Sequence, residues 1–167
     1  HAVLEVARGG ILRRGLGFDE TDVSVFLNVS SDHLGDGGIN SMEDLARLKG
    51  VTIEVVKPTG HAVLNADDPL VMEYAGSTKG KTILFSMNPG NPILKDNLKK
   101  GNMNVTVKDE SIIIQKGGWT SSIAKVVEVP ITYGGKAAFN IQNAMAAVAA
   151  ASAMGLRRSS SQDPRAL

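Results

Sequence analysis

The residues best suited to chemistry fall in five short stretches, most of them at the end of an apolar run. Glu5 interrupts Val3-Leu4-Glu5-Val6-Ala7 and is followed by Arg8-Gly9-Gly10. A carboxylate on a buried strand is costly unless it is paired or ligates a metal. A solvated edge, or an ion pair with Arg8, explains Glu5 equally well. Two glycines straight after a strand end let backbone approach a ligand closely. The stretch Asn28-Val29-Ser30-Ser31-Asp32-His33-Leu34-Gly35 gathers an amide, hydroxyls, a carboxylate and an imidazole. That set suits a hydrated magnesium ion, although an Asx-turn with His33 merely packed is the simpler reading. Lys49 lies among Leu45, Leu48 and Val51, where a lysine ordinarily snorkels to the surface. In Asn65-Ala66-Asp67-Asp68-Pro69, either aspartate can cap a helix that has Pro69 in its first turn. Finally, Asn140 and Asn143 in Phe139-Asn140-Ile141-Gln142-Asn143-Ala144 are three apart and share a helix face. Both amides can read a planar base edge, or they simply form a polar first turn on an Ala-rich helix.

One apparent phosphate loop fails on context. Ala75-Gly76-Ser77-Thr78-Lys79-Gly80-Lys81-Thr82 fits the loose pattern, with Ala for the first Gly. The mechanism needs a strand before the loop and a helix after it, so that amides and helix N-terminus face one phosphate. Here a helix precedes and a strand follows. A basic surface turn is the better reading.

The elements that must position these residues alternate over the first two thirds of the chain. Ala2–Val6 and Val23–Val29 read as buried parallel strands. Met42–Val56 reads as a helix capped by Ser41 and stopped by Pro58-Thr59-Gly60. His61–Leu64 and Thr82–Phe85 are further strands, with helices at Asp67–Ala75 and Ile93–Lys100. The pattern then changes. Asn104–Val107, Ser111–Gln115 and Ser121–Val129 are strand-like, with turns at Lys108-Asp109-Glu110 and Lys116-Gly117-Gly118. Consecutive strands without helices predict a small antiparallel sheet beside the parallel one. Ala137–Met154 closes the fold as a helix, with Gly155 as its C-cap. The expected class is α/β: a mostly parallel sheet flanked by helices, with one domain over residues 1–156 and a polar, disordered tail over 157–167.

Composition narrows the function classes. The 167 residues are 43% hydrophobic and 21% charged, which excludes a disordered or collagen-like chain. Basic and acidic residues are interspersed, 18 against 17, so no basic face points to nucleic acid. No cysteine is present to form a disulfide, a thiol nucleophile or a Cys-type zinc site. No run approaches the ~18 apolar residues of a membrane span, and no signal peptide opens the chain. A cytoplasmic protein is expected.

Each motif is weak alone, but their order and spacing resemble the Mur ligases. The resemblance runs through Leu4-Glu5-Val6-Ala7-Arg8-Gly9-Gly10-Ile11-Leu12, Asn28–Gly35, Asp44-Leu45-Ala46-Arg47-Leu48-Lys49, Asn65–Pro69 and Phe139–Ala144, and covers about residues 1–156. It implies the later part of a P-loop-type central ATP-binding domain. The implied activity is amide ligation: ATP phosphorylates a carboxylate, and an amine attacks the acyl phosphate. Val6–Leu12 and the run Ala144–Ala151 look most like the branch that joins arginine to the aspartate side chains of an amino-acid polymer. By the same resemblance Glu5 and His33 hold magnesium, and Lys49 is a carbamylated lysine. Asn143 stands beside adenine, with Asn140, Asn65 and Asp68 on the nucleotide side. Arg8 replaces a small hydroxyl residue and contacts the anionic polymer.

Those implications set the expectations. The cofactors are ATP and Mg2+, and the partners are the polymer and arginine, with a homo-oligomer compatible with the sequence. The phosphate-loop strand and helix that the family carries ahead of Glu5 have no counterpart here, and the family's C-terminal domain is not seen after the last helix. The chain is therefore expected to be a fragment that neither hydrolyses ATP nor forms amide bonds alone. Glu5 and His33 are expected at adjacent carboxyl ends of parallel strands, and Lys49 unmodified and partly exposed in the isolated chain. Two other classes compete: a non-catalytic α/β binding or assembly module, and a dinucleotide-binding oxidoreductase domain. The latter is disfavoured because no Gly-x-Gly-x-x-Gly follows the first strand.

Overall fold

The structure, a computed structural model, describes residues 2–31, 35 and 37–156. Six strands form one sheet in the order in which they occur: β1 (Thr21–Phe26), β2 (Val56–Asn65), β3 (Lys81–Ser86), β4 (Met103–Lys108), β5 (Ser111–Lys116) and β6 (Trp119–Lys125). The first four are parallel, and the last three are joined by antiparallel pairing. The expected small antiparallel sheet is thus a continuation of the parallel one, because β4 keeps both neighbours. The strand expected over Ser121–Val129 stops at Lys125 and passes into a 3-10 turn at Val126–Glu128.

Sequential parallel strands with right-handed crossovers must put all their connecting helices on one face. That is what occurs. Helices α2 (Met42–Glu54), α3 (Pro69–Met72) and α4 (Pro92–Lys99) follow β1, β2 and β3 in turn. Their Leu45, Ile53, Val71 and Leu94 pack with Phe26, Leu64 and Leu84. The opposite face is covered by the last helix, α5 (Ala138–Ala153), through Ile141, Met145 and Ala149 against Val63, Ile83, Phe85, Val105 and Ile112. The strands obey their period of two: Val63 faces α5, while Ala62 and Leu64 face α2 and α3.

Local chemistry sets the helix starts. Ser41 Oγ accepts from the Asp44 amide, and the Asp68 carboxylate from the Leu70 and Val71 amides with Pro69 at the first position. The helix expected over Asp67–Ala75 is α3 followed by a 3-10 turn at Glu73–Gly76. A helix therefore precedes Gly76–Lys81 and a strand follows, the order that denies this segment a phosphate-loop role.

Two expected boundaries are corrected. Pro58-Thr59-Gly60 does not end α2, which stops at Glu54; it lies inside β2. Thr21 pairs with Val56 and Val23 with His61, so Lys57–Gly60 swings out as an irregularity where Pro58 need not donate. Gly60 permits this, since a Cβ there would fall 2.5 Å from the Asp22 carbonyl oxygen. More important, Ala2–Val6 is not a strand. It runs outside the sheet with Val3 98% and Leu4 66% exposed, because a β-prone run becomes a strand only beside a partner edge. It leads into α1 (Arg8–Arg14), a short helix with no buried residue that rests near α2.

Away from the carboxyl strand ends, a buried polar network ties β3 to α4. Thr82 Oγ1 donates to Asn97 Oδ1 at 2.7 Å, and Asn97 Nδ2 donates to Asn104 Oδ1 at 2.8 Å. No helix among the described residues is long and apolar enough to cross a membrane.

Candidate functional site

The carboxyl ends of β1 and β2 open on a cleft of about 450 Å³, lined by Asn28, Val29, Asn65, Asp68, Leu70 and Gln142 among others. Open parallel sheets place their ligands at such ends. Three sequence-predicted residues converge here on one piece of backbone, the segment leaving β1. Asn65 Nδ2 donates to the Leu27 carbonyl at 2.9 Å, and its Oδ1 accepts from the Asp67 amide at 3.0 Å. Lys49, half-buried on α2, donates from Nζ to the Asn28 carbonyl at 3.3 Å. Asp68 Oδ2 accepts from the Val29 amide at 2.8 Å, while Oδ1 caps α3.

The neighbouring Asp67 turns the other way. Its carboxylate accepts from Ser86 Oγ and Asn91 Nδ2 and, at 2.7 Å, from the Met87 amide. So the paired aspartates divide the work: Asp68 fixes the segment after β1, and Asp67 fixes the segment after β3. Among the described residues no buried side-chain polar atom lacks a hydrogen-bond partner.

The remaining predicted residues are placed apart from this convergence. Glu5 is exposed on the extended N-terminal segment, not on a strand end. The expectation that it shares adjacent strand ends with His33 fails on Glu5's side, and His33 lies outside the described residues. Arg8 is half-buried at the start of α1 and makes polar interactions of its own. Asn140 and Asn143 do share a face, as their spacing requires: Asn143 Nδ2 donates to Asn140 Oδ1 at 3.3 Å. That face turns to the 3-10 turn Pro130–Thr132, where Asn140 Nδ2 donates to the Ile131 carbonyl at 2.6 Å. Gln142, between them, lines the cleft instead. Sequence reasoning missed it as a site residue, although its place in the first turn beside two asparagines was a usable signal.

Among the described residues no three acidic or imidazole side chains are gathered as a metal site. The donor set shown does not by itself fit a magnesium ion, and Glu5 stands apart from it.

Fold and cleft together define an α/β domain with its polar site at the carboxyl ends of parallel strands, and comparison with known proteins gives it a family. Residues 1–151 match the Mur ligase middle domain, and the chain belongs to that family. It is 52% identical to the cyanophycin synthetase of Crocosphaera subtropica and 48% identical to that of Synechocystis sp., over 155 residues in each case. That is 93% of this chain but only 18% of either relative, so the chain spans about a fifth of their length. It is also 33% identical over 138 residues (83% of this chain, 27% of the relative) to a UDP-N-acetylmuramoylalanine--D-glutamate ligase of Pelotomaculum thermopropionicum. Among solved structures, MurF from Acinetobacter baumannii superimposes with a TM-score of 0.53 over 81% of this chain and 26% of that one, at 22% identity. That similarity confirms the mostly parallel α/β fold.

Proposed function

We propose that this chain is the segment of an ATP-dependent ligase that builds cyanophycin, joining arginine to the aspartate side chains of a poly-aspartate backbone. One observation carries the reading. In a chain about half identical to cyanophycin synthetases, Lys49, Asn65 and Asp68 lock the segment after β1 around an open cleft at the parallel strand ends. In the reaction, ATP phosphorylates the side-chain carboxylate. The arginine amine then attacks the acyl phosphate, the C–N bond forms, and phosphate leaves with its bonding electrons as the amine loses a proton. Such transfers need positioned charges more than covalent help from the protein.

Lys49 supplies one such position. Its amine donates to the Asn28 carbonyl and, in its unprotonated form, can add carbon dioxide. The addition forms an N–C bond, releases a proton to water, and gives a carboxylate beside the segment that leaves β1. Asn143 keeps its carbonyl oxygen available for an adenine amino group, while Asn140 orients it from behind. Asn65 and Asp68 shape the nucleotide-side wall, and Arg8 offers a cation to the anionic polymer. Magnesium would supply charge neutralisation of the phosphates when bound, and the residues described here do not by themselves make its site.

The test uses Synechocystis cyanophycin synthetase with its matched segment replaced by this chain. Arginine-dependent ADP release is expected from that chimera, and its loss in Lys49→Ala. Release that persists unchanged in Lys49→Ala, or a stable chimera with none, overturns the reading. The second outcome favours a non-catalytic module.

A further inference from the structure

We propose that Asp68 is a positioning residue of this site, acting through the backbone of residues 27–31 and not on a ligand. The inference rests on the ligase reading above. β1 ends at Phe26, whose partner is Leu64, and the described backbone after it has left the sheet. Its course is set by side chains reaching in from other elements. Asn65 and Lys49 hold carbonyls, whereas Asp68 holds the Val29 amide, a charge-assisted bond of 2.8 Å.

Asp68 is itself held from behind. Its other oxygen caps α3, whose Val71 is fully buried, so the carboxylate is fixed in direction. Val29 is also seated in the core beside Phe26 and Leu45. A shift of Val29 moves the adjoining Asn28 carbonyl, which is the acceptor for Lys49. One carboxylate thus sets the place of Lys49 through the Asn28 carbonyl.

The chemistry of the two oxygens shows why this position takes aspartate. Each oxygen meets N–H donors on a different element. An asparagine offers one acceptor and turns an NH2 against a second donor. A serine caps α3 but is too short to reach Val29. Asp68→Ser therefore removes the clamp and keeps the cap, while Asp68→Ala removes both.

The experiment has two arms. In the chain itself, amide exchange read by NMR is expected to rise about tenfold or more at Val29 in Asp68→Ser, with α3 amides unchanged. The Lys49 resonances shift in the same variant. In the chimera, Asp68→Ser is expected to lower kcat about tenfold or more with KM for ATP nearly unchanged, as misplacement of reacting groups does. Thr82→Ala, which loosens the polar network at the amino end of β3, is the stability control and leaves kcat as it was. Unchanged Val29 exchange overturns the proposal. So does a raised KM with normal kcat, which would make Asp68 a binding residue. A chimera inactive with the unaltered sequence defeats the ligase reading alone; the positional claim then stands or falls on whether the Lys49 resonances move in Asp68→Ser.

Discussion

The two halves of the sheet end their strands in opposite ways. In the antiparallel half, β4 turns into β5 through Asp109-Glu110, and β5 into β6 through Gly117-Gly118. All four residues have positive φ, from 48° to 81°, the backbone that two-residue hairpins demand. Such turns satisfy themselves. In the parallel half the chain must leave the sheet and cross to the next strand, so the released backbone is caught by side chains: Asn65, Asp67, Asp68 and Asn91. The cleft lies where those polar anchors are. Connectivity, more than residue type, decides which end of a sheet can hold chemistry.

If the halves differ only at their ends, they must share one core, and that can be broken most severely. Phe85→Ala in β3 and Ile112→Ala in β5 both remove fully buried side chains from the α5 face. Each is expected to cost about 3–4 kcal/mol in urea unfolding. Trp119 fluorescence, reporting β6, and far-UV circular dichroism should move together in both variants. Separate transitions would show two folding units.

A milder test attacks only the anchored end. Asp67→Ala leaves the Met87 amide without its acceptor and the Ser86 hydroxyl with only the Asn88 carbonyl, at an expected cost of about 1–2 kcal/mol. Amide exchange should rise over residues 86–91 while both hairpins stay protected. Equal loosening of the hairpins would contradict the contrast.

The hairpin end can instead be improved. Glu110 adopts φ 59°, where a side chain is disfavoured and glycine is not. Glu110→Gly creates an Asp-Gly turn and is expected to raise stability by about 0.5–1 kcal/mol, read as a higher urea midpoint with an unchanged slope. A lower midpoint would show that the turn depends on the glutamate side chain.

The smallest effect sits in β2, inside the parallel half. His61 of β2 is half-buried near Lys81 of β3 and Lys116 of β5. Burial, then the two lysines, hold its imidazole below the ordinary 6.5. As pH falls the unfolded chain takes up this proton first, so stability drops from about pH 6.5 down through the folded value and then levels. His61→Gln should flatten that part of the pH–stability profile relative to the unaltered chain. Identical slopes would rule out the linkage.

The comparison also separates what was legible in the chain from what was not. Ser41 before a helical run, Asp68-Pro69 before another, and hairpin turns at Asp109-Glu110 and Gly117-Gly118 are local signals. Their physics is complete within a few residues, and the structure realises each one. The α/β class followed from the same short-range patterns, because strand and helix periods are properties of neighbouring residues.

What the tertiary structure decided depends on partners distant in sequence. Ala2–Val6 has the composition of a strand, but pairing is a property of two segments, and here none lies beside it. Pro58 looked like a helix stop, yet the register slip against Thr21–Val23 gave it a place inside β2. Whether the antiparallel strands formed a separate sheet turned on the pairing of β4 with β3. The clamp itself spans 39 residues between Val29 and Asp68. The sequence by itself determined which residues have the chemistry to cap, turn or hold a ligand. Only the fold brought Asn65, Asp68 and Gln142 to one cleft and Lys49 to the segment at its edge, because parallel strands joined by crossovers end on the same side of the sheet.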